Sequence, residues 1–413
     1  MTKISRTTDM TQGSEMRHII MFSLPLLAGN LLQQTYNIVD TMVVGRYLGD
    51  DALAAVGATG SITYLFYTLC IGLSVGAGII VAQYFGAGKK KAMRSAVFNS
   101  ALVTAIFGIV ISLLSVPAAR PILELLKVPD KLIGDSVAYM QIACGGTIAV
   151  AAYNWINAIM RALGDSKTPL IFLGAASLLN ALLDLLFVVV FKFGIAGAAW
   201  ATELTKALSA ISCIVYCFAV SGEIRLTADD LHADKDMMSR CVKTGVPIAI
   251  QNGLISVSMV ALQRVTNGFG ETVMAAYTVS MRIEQFVQQP FSSLNAAVST
   301  FTGQNIGAGK EKRAQKGLAC AIKISVIFSA VVLVLFTLFG GAITSWFVKG
   351  KTVISISAKA LIITSLFYWS LGIIHTTRGF LNGAGDTNYA LVNGMAEVIC
   401  RIGLSLIFTR IAF

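Results

Sequence analysis

Segment after segment of this chain stays apolar for the length of a lipid bilayer. A helix that crosses hydrocarbon needs about 20 mainly apolar residues. Hydropathy places about eleven such helices along the chain, at 17–41, 52–83, 93–116, 132–158, 168–191, 195–219, 242–266, 272–303, 314–339, 355–377 and 389–411. Charged residues make up 13% of the sequence, about half the share usual in soluble domains. In hydrocarbon every backbone N–H and C=O must be satisfied by the protein itself, which helices do segment by segment. The reading is an all-α polytopic membrane protein. The polar opening, "MTKISRTTDMTQGSEMRHII", has no compact apolar core with a small-residue cleavage site, so no removable signal is expected. The seven cysteines are scattered and show neither zinc nor disulfide spacing.

An internal repeat organises these spans. "YFGAGKKKAMR" from Tyr84 returns as "NIGAGKEKRAQ" from Asn305, "RALGDSKTPL" from Arg161 as "NGAGDTNYAL" from Asn382, and "YLGDDALAA" as "GFGETVMAA". Gly86 and Gly307, Gly164 and Gly385, and Gly49 and Gly270 are each 221 positions apart. Two homologous six-helix lobes follow, a parallel repeat about an axis along the membrane normal. The expected division is a cytoplasmic N-terminal tail at 1–16, a first lobe at 17–220, a cytoplasmic linker at 221–241 and a second lobe at 242–413. The counterpart of the sixth span would begin near 416, beyond Phe413, so a twelfth helix is expected to be missing from this chain.

The glycine-lysine loops lack the frame and final Ser/Thr of a phosphate-binding loop. Their cations read instead as topology. Lys89, Lys90, Lys91, Arg94, Arg161, Lys167, Lys310, Lys312, Arg313, Lys316 and Arg378 fall at one set of joints, with fewer cations opposite. Cytoplasmic joints collect Lys and Arg, so this bias puts the N-terminus in the cytoplasm. The net charge of +11 is then a topology signal, and no nucleic-acid partner is expected.

Polar residues within the spans are the exceptions that point to function. On the first span Gln33, Asn37 and Asp40 recur with Asn30 on one helical face, with Tyr36 beside them. On the fifth, Ser177, Asn180 and Asp184 form a second polar face; the sixth adds Thr202 and Lys206 with Glu203 alongside. Tyr139 and Asn157 on the fourth span are taken as further polar cavity residues. Asn and Gln can simply join helices through hydrogen bonds. Intramembrane carboxylates usually mark ion or substrate paths. Across the repeat Asp40 maps to Ala261, Asn180 to Arg401 and Asp184 to Ser405, so the acidic site belongs to the first lobe alone. Glu397 and Arg401, spaced i,i+4, read as a mutually neutralising pair, and His375 as a satisfied interfacial histidine.

With "YNIVDTMVVGRYLGDDALAAVG", "NALLDLLFVVVFKFGIAGAAWAT" and "LNGAGDT" in two six-helix lobes, the chain resembles the multidrug and toxic compound extrusion (MATE) family from about residue 15 onward. It looks most similar to the branch named for DNA-damage-inducible protein F. That resemblance implies a coupling-ion site for H⁺ or Na⁺ at Asp40, Asp184, Asn180 and Thr202, with no other cofactor. Another branch keeps acidic residues on the seventh and tenth spans, where this chain reads "PIAIQNGLISVSM" and "FYWSLGIIHTTRGF". The function expected is a secondary antiporter in the bacterial cytoplasmic membrane, a monomer exporting organic, cationic and amphipathic compounds by rocking of its lobes. The alternative is a flippase for lipid-linked saccharides on a related fold, which would call for a cationic cavity. A non-transporting scaffold would have no need of Asp40. A membrane enzyme is disfavoured, because His18, His232 and His375 lie far apart with no nucleophile or metal motif around them.

Overall fold

The computed structural model describes residues 7–220 and 222–412. Thirteen α-helices follow in order: α1 (Glu15–Leu48), α2 (Asp50–Gly86), α3 (Lys90–Leu125), α4 (Asp130–Gly145), α5 (Thr147–Ala162), α6 (Lys167–Asp184), α7 (Gly194–Val220), α8 (Lys235–Asn267), α9 (Glu271–Gly307), α10 (Glu311–Ser345), α11 (Lys351–Ser365), α12 (Tyr368–Ala384) and α13 (Thr387–Ala412). Two pairs are single rods broken near the middle. α4 and α5 bend by 43° at Gly146, and α11 and α12 by 51° at Leu366–Phe367. The breaks are themselves 221 positions apart. So are the left-handed turn glycines Gly49 and Gly270, Gly88 and Gly309, and Gly164 and Gly385, whose φ lies between 67° and 91°.

The thirteen helices thus make eleven rods, as the hydropathy implies. Six of them are long and apolar enough to cross a membrane alone, and each bent pair passes as a unit. α1, α8 and α9 are as long, at 34, 33 and 37 residues, but carry more polar side chains. The outer faces are apolar: Leu113, Leu114, Ile327 and Leu338 are each at least 65% exposed. A lipid environment accounts for that arrangement, since so much apolar surface facing water would drive association.

The lobes meet at one end. Gly86 of α2 lies against the Gln304 carbonyl of α9, and Gly307 of α9 lies against the Gln83 carbonyl of α2, so close that a Cβ on either glycine would overlap backbone. Farther along, Gly72 and Gly76 of α2 sit against Ala249 and Gly245 of α8. Gly72 is 14 residues from Gly86, or about 21 Å at the helical rise. Toward the opposite end the packed apolar clusters stay within one lobe each, Val43, Ala55 and Ile195 in the first and Val279, Phe336 and Leu361 in the second. The lobes therefore diverge from mid-depth outward.

Residues read from sequence as a polar tail form a strap across the joined end. Ser14 caps α1, accepting from Arg17 N at 3.4 Å. Thr8 N donates to Leu163 O of the first lobe at 3.1 Å, while Met10 N donates to Gln304 Oε1 of the second at 2.9 Å. The same Gln304 donates to Ala162 O at 2.9 Å. Arg313 reaches the Met10 and Gln12 carbonyls and pairs with Glu15 at 3.1 Å. Met10 is buried in an apolar cluster with Phe22, Val298 and Phe301.

The stretch read as a linker is shorter than expected, since α8 begins at Lys235. It runs docked on α3. Asn99 donates to His232 O at 3.1 Å and accepts from Asp234 N at 2.8 Å. Thr227 donates to Asp230 from its backbone N–H and its hydroxyl, which with Arg94 nearby holds that carboxyl below the usual range.

The glycine contacts are testable because alanine is favoured over glycine by about 1 kcal/mol in an open helix, whereas overpacking costs about 1–3 kcal/mol. Gly57 of α2 has nothing within 4 Å of a built Cβ. Gly86→Ala and Gly307→Ala are expected to lower the melting temperature of the detergent-purified protein by several degrees, and Gly57→Ala to leave it unchanged or raise it. Equal behaviour of the three variants in a thermal scan would contradict the close crossing.

Candidate functional site

Four polar elements converge in the part of the first lobe that lies away from the strap. α1 presents Gln33, Tyr36, Asn37 and Asp40 at i,i+3,i+4,i+7, the spacing that keeps side chains on one helical face. α6 ends at Asp184 and passes into a π-helical stretch, Leu185–Val190. Such widened turns leave local backbone bonding irregular and are frequent at functional positions. α7 supplies Thr202, Glu203 and Lys206, and the α4–α5 rod supplies Tyr139, Tyr153 and Asn154.

The carboxyl groups of Asp40 and Asp184 face each other at hydrogen-bonding range. One oxygen of each, Oδ1, is buried without a protein donor. Two ionised carboxylates repel at close range, so a shared proton or a positive charge stabilises such a pair; the Lys206 ammonium acts on Asp40. Around it runs a short network. With its nitrogen turned to the carboxylate, the Asn180 amide donates to Asp184 Oδ2 at 2.7 Å and accepts from Thr202 N at 3.3 Å. Tyr36 Oη donates to Thr202 Oγ1 at 3.3 Å. Asp184 and Asn180 are buried, at 0% and 1% exposure, whereas Asp40 lines a cavity of about 410 Å³. That volume lies within the usual range for small-molecule sites.

The polar residues singled out in the first lobe meet here except Asn157 and Asn30, which instead donates to Ser293 Oγ of α9 at 3.1 Å. Gln33, Tyr36, Asn37, Asp40, Tyr139, Thr202 and Lys206 line the cavity, and Asp184 and Asn180 stand behind Asp40. Asn157 lies on α5 one turn beyond Tyr153, buried and outside the lining, its Oδ1 without a partner. The sequence reading overlooked the tyrosines. Tyr64 and Tyr67 sit three apart on α2 and Tyr153 on α5, so a count of aromatics on the faces shared with the polar stripe would have found them. Glu203, noted only as a neighbour, is structurally central. It accepts from Lys206 Nζ at 2.9 Å and from Tyr67 Oη at 3.0 Å, and it lies against Gly146 at the bend of the rod. The ammonium of Lys206 also stands over the Tyr67 ring, 4.7 Å from its centre.

Among the described residues the second lobe has no such pair. Arg401 binds Glu397 at 2.7 Å, as their spacing implies, but Glu397 also binds Arg378 at 2.7 Å. Arg378, counted in the sequence as a joint cation, is therefore an internal charge of α12, 8% exposed. Arg161 is likewise inside α5 and faces a cavity between the lobes. His375 is not a satisfied interfacial residue: its Nδ1 is buried without a partner, and its ring stacks on Phe291 at 6.2 Å.

Known proteins share this architecture. The chain is 30% identical to the probable multidrug resistance protein YoeA of Bacillus subtilis over 94% of its own length and 85% of that protein. It is 29% identical to the probable multidrug resistance protein YpnP of the same organism, over 93% and 86%. A solved structure described as the outward-facing conformation of a multidrug resistance MATE family transporter superposes with a TM-score of 0.91, covering 98% of this chain and 91% of that one at 23% identity; at that identity the likeness speaks for the fold. A family model described as MatE matches residues 25–186 and 247–407, one copy in each lobe. By that match through both halves of the repeat, the chain belongs to the MatE family.

Proposed function

We propose that this chain is a secondary active multidrug exporter of the bacterial cytoplasmic membrane, driven by inward flow of H⁺ or Na⁺. The relatives named as multidrug resistance proteins support export of organic compounds. The observation that carries the coupling is the Asp40–Asp184 pair standing at the wall of a cavity large enough for an organic molecule. A proton or a sodium ion satisfies the pair, and its loss leaves two facing charges that favour a different arrangement of α1. An ion can drive a conformational change only through such a difference in affinity between states.

The strapped end carries Lys89, Lys90, Lys91, Lys310, Lys312, Arg313 and Lys316; by the positive-inside bias it faces the cytoplasm. The lobes are closed there and part toward the outside, which is the arrangement that would release a drug and take up an ion. Rocking about the glycine crossing would reverse the opening. The protein acts as a monomer in this reading, with lipid, the organic substrate and the coupling ion as its partners and no enzymatic step.

Dye efflux from everted vesicles, driven separately by a pH gradient and by a sodium gradient, tests the proposal and identifies the ion. Asp40→Asn is expected to insert and fold at wild-type levels, because it removes a charge whose burial at a helix centre costs about 2.5–3.5 kcal/mol on insertion scales. Concentrative efflux should nevertheless be lost. Wild-type efflux by this variant, with unchanged ion dependence, would make Asp40 a packing residue.

The second lobe should respond in the opposite way. Glu397→Gln leaves Arg378 and Arg401 without their shared carboxylate, and breaking a buried ion pair costs about 3–5 kcal/mol. We expect its melting temperature to fall while the folded fraction still couples efflux to the ion gradient; Asp184→Asn should keep its stability and lose coupling. Loss of coupling in folded Glu397→Gln with retention in Asp184→Asn would reverse the assignment.

A further inference from the structure

A cavity of about 700 Å³ opens at the strapped end of the first lobe, away from the carboxylate pair. Its walls come from the strap, the first two turns of α1, the α5–α6 turn and the first residues of α6. Helix lengths explain the notch. Gly29 of α1 lies against Leu170 and Leu173 of α6, three and six residues into α6 but fourteen into α1. Both helices start at the strapped end, so α1 overhangs the beginning of α6 by about 12–16 Å at the helical rise. The strap folds back along this overhang, where His18 Nε2 donates to Gln12 O at 2.7 Å.

The cavity is divided by polarity. Met10 and Phe22 form a buried apolar floor. Met21 and Ile171, 55% and 56% exposed, continue it along the outer surface. The lobes are closed at this end, so side chains exposed here face the surroundings and not the cleft. On the rim stand Arg17 and Lys167, both exposed. Among the described residues neither side chain has an ion pair or a hydrogen bond.

The carboxylates of this region are already engaged. Asp165, in the lining, is 3% exposed and accepts from Lys167 N, Thr168 N and Thr168 Oγ1 at 2.6–3.0 Å. Glu15 holds Arg313, and Asp9 accepts from Thr11 N at 2.8 Å. The sequence before Thr7 adds Lys3 and Arg6 and no carboxylate, so it brings no countercharge.

An apolar slot with two unanswered cations at its mouth suits an amphiphile with an anionic head and hydrocarbon tails. Basic pockets between membrane helices are known to bind lipid head groups of that charge. A guanidinium takes two phosphate oxygens through its fork, and an ammonium adds a point charge. The second lobe repeats the scaffold without the cations, since Met238 and Asn388 stand 221 positions after Arg17 and Lys167. The site therefore occurs once in the chain.

We propose that the notch between the strap, α1 and α6 binds one phospholipid with an anionic head group, its phosphate between Arg17 and Lys167 and an acyl chain along Met21 and Ile171. A lipid seated there touches the strap and both helices together. By binding the folded chain alone it stabilises that chain by mass action.

The test follows thermal unfolding of the purified full chain in detergent with added dioleoylphosphatidylglycerol or dioleoylphosphatidylcholine. The glycerol lipid is expected to raise the wild-type melting temperature by several degrees more than the choline lipid does. Arg17→Gln combined with Lys167→Gln should abolish that difference. It should leave the melting temperature in detergent alone unchanged, because both side chains are exposed and unpaired. Lys312→Gln combined with Lys316→Gln removes the same charge from the same end and should keep the difference. Native mass spectrometry should find one phosphatidylglycerol retained by the wild type after other lipids are stripped, and none by the rim variant. Equal stabilisation by the two lipids would overturn the proposal. Equal loss in both double variants would also overturn it, by reducing the effect to diffuse surface charge. So would equal stabilisation of the wild type by millimolar glycerol phosphate, since the occupant would then be a free anion and not a lipid.

Discussion

Two helices can cross with their backbones in contact only where side chains are absent. At the joined end of this molecule Gly86 meets the Gln304 carbonyl and Gly307 meets the Gln83 carbonyl, one contact being the repeat image of the other. Small residues of this kind let membrane helices approach where no hydrophobic driving force exists between them. The rest of the architecture depends on this crossing. It gives the lobes a shared fulcrum, and Gly72 and Gly76 extend it to mid-depth. Beyond that point no comparable contact holds the lobes together among the described residues. The cleft is what remains when two bundles are pinned at one end.

Inside that frame the two lobes differ in chemistry. The first holds two carboxylates, Asp40 and Asp184, against each other. The second places a single carboxylate between two arginines, a cluster that is neutralised apart from one positive charge. The two halves of a symmetric scaffold therefore differ in their electrostatics, one built around facing carboxylates and the other around an arginine-rich cluster.

Much of this was legible in the sequence. Eleven rods, the repeat of 221 residues and the stripe from Gln33 to Asp40 all follow from period and spacing, because bilayer thickness and helical geometry leave few alternatives. The bends at Gly146 and at Leu366–Phe367 were not read, since neither carries a proline and hydropathy runs through both. The positions of Arg161 and Arg378 were misjudged for a related reason. Each stands within seven residues of a polar joint, and a one-dimensional profile assigns such a cation to the surface although the chain is still inside its helix. Tyr64, Tyr67 and Tyr153 were missed because an aromatic residue in an apolar span gives no contrast. The strap was unreadable for a plainer reason: most of its partners lie in the other lobe.

That separation has a bearing on biogenesis. Met10 is synthesised long before its partners: its amide is held by Gln304, 294 positions later, and its carbonyl by Arg313, 303 positions later. At ribosomal speeds of about 5–20 residues per second, some fifteen seconds to a minute pass between the making of the strap and the appearance of its docking site. Throughout that interval the strap has a single backbone anchor, the bond from Thr8 to Leu163. Docking of the strap therefore reports that the second lobe has arrived and packed. A nascent chain arrested before α10 would present residues 8–14 unprotected to proteases, and quality control could read an unfinished chain from that one stretch.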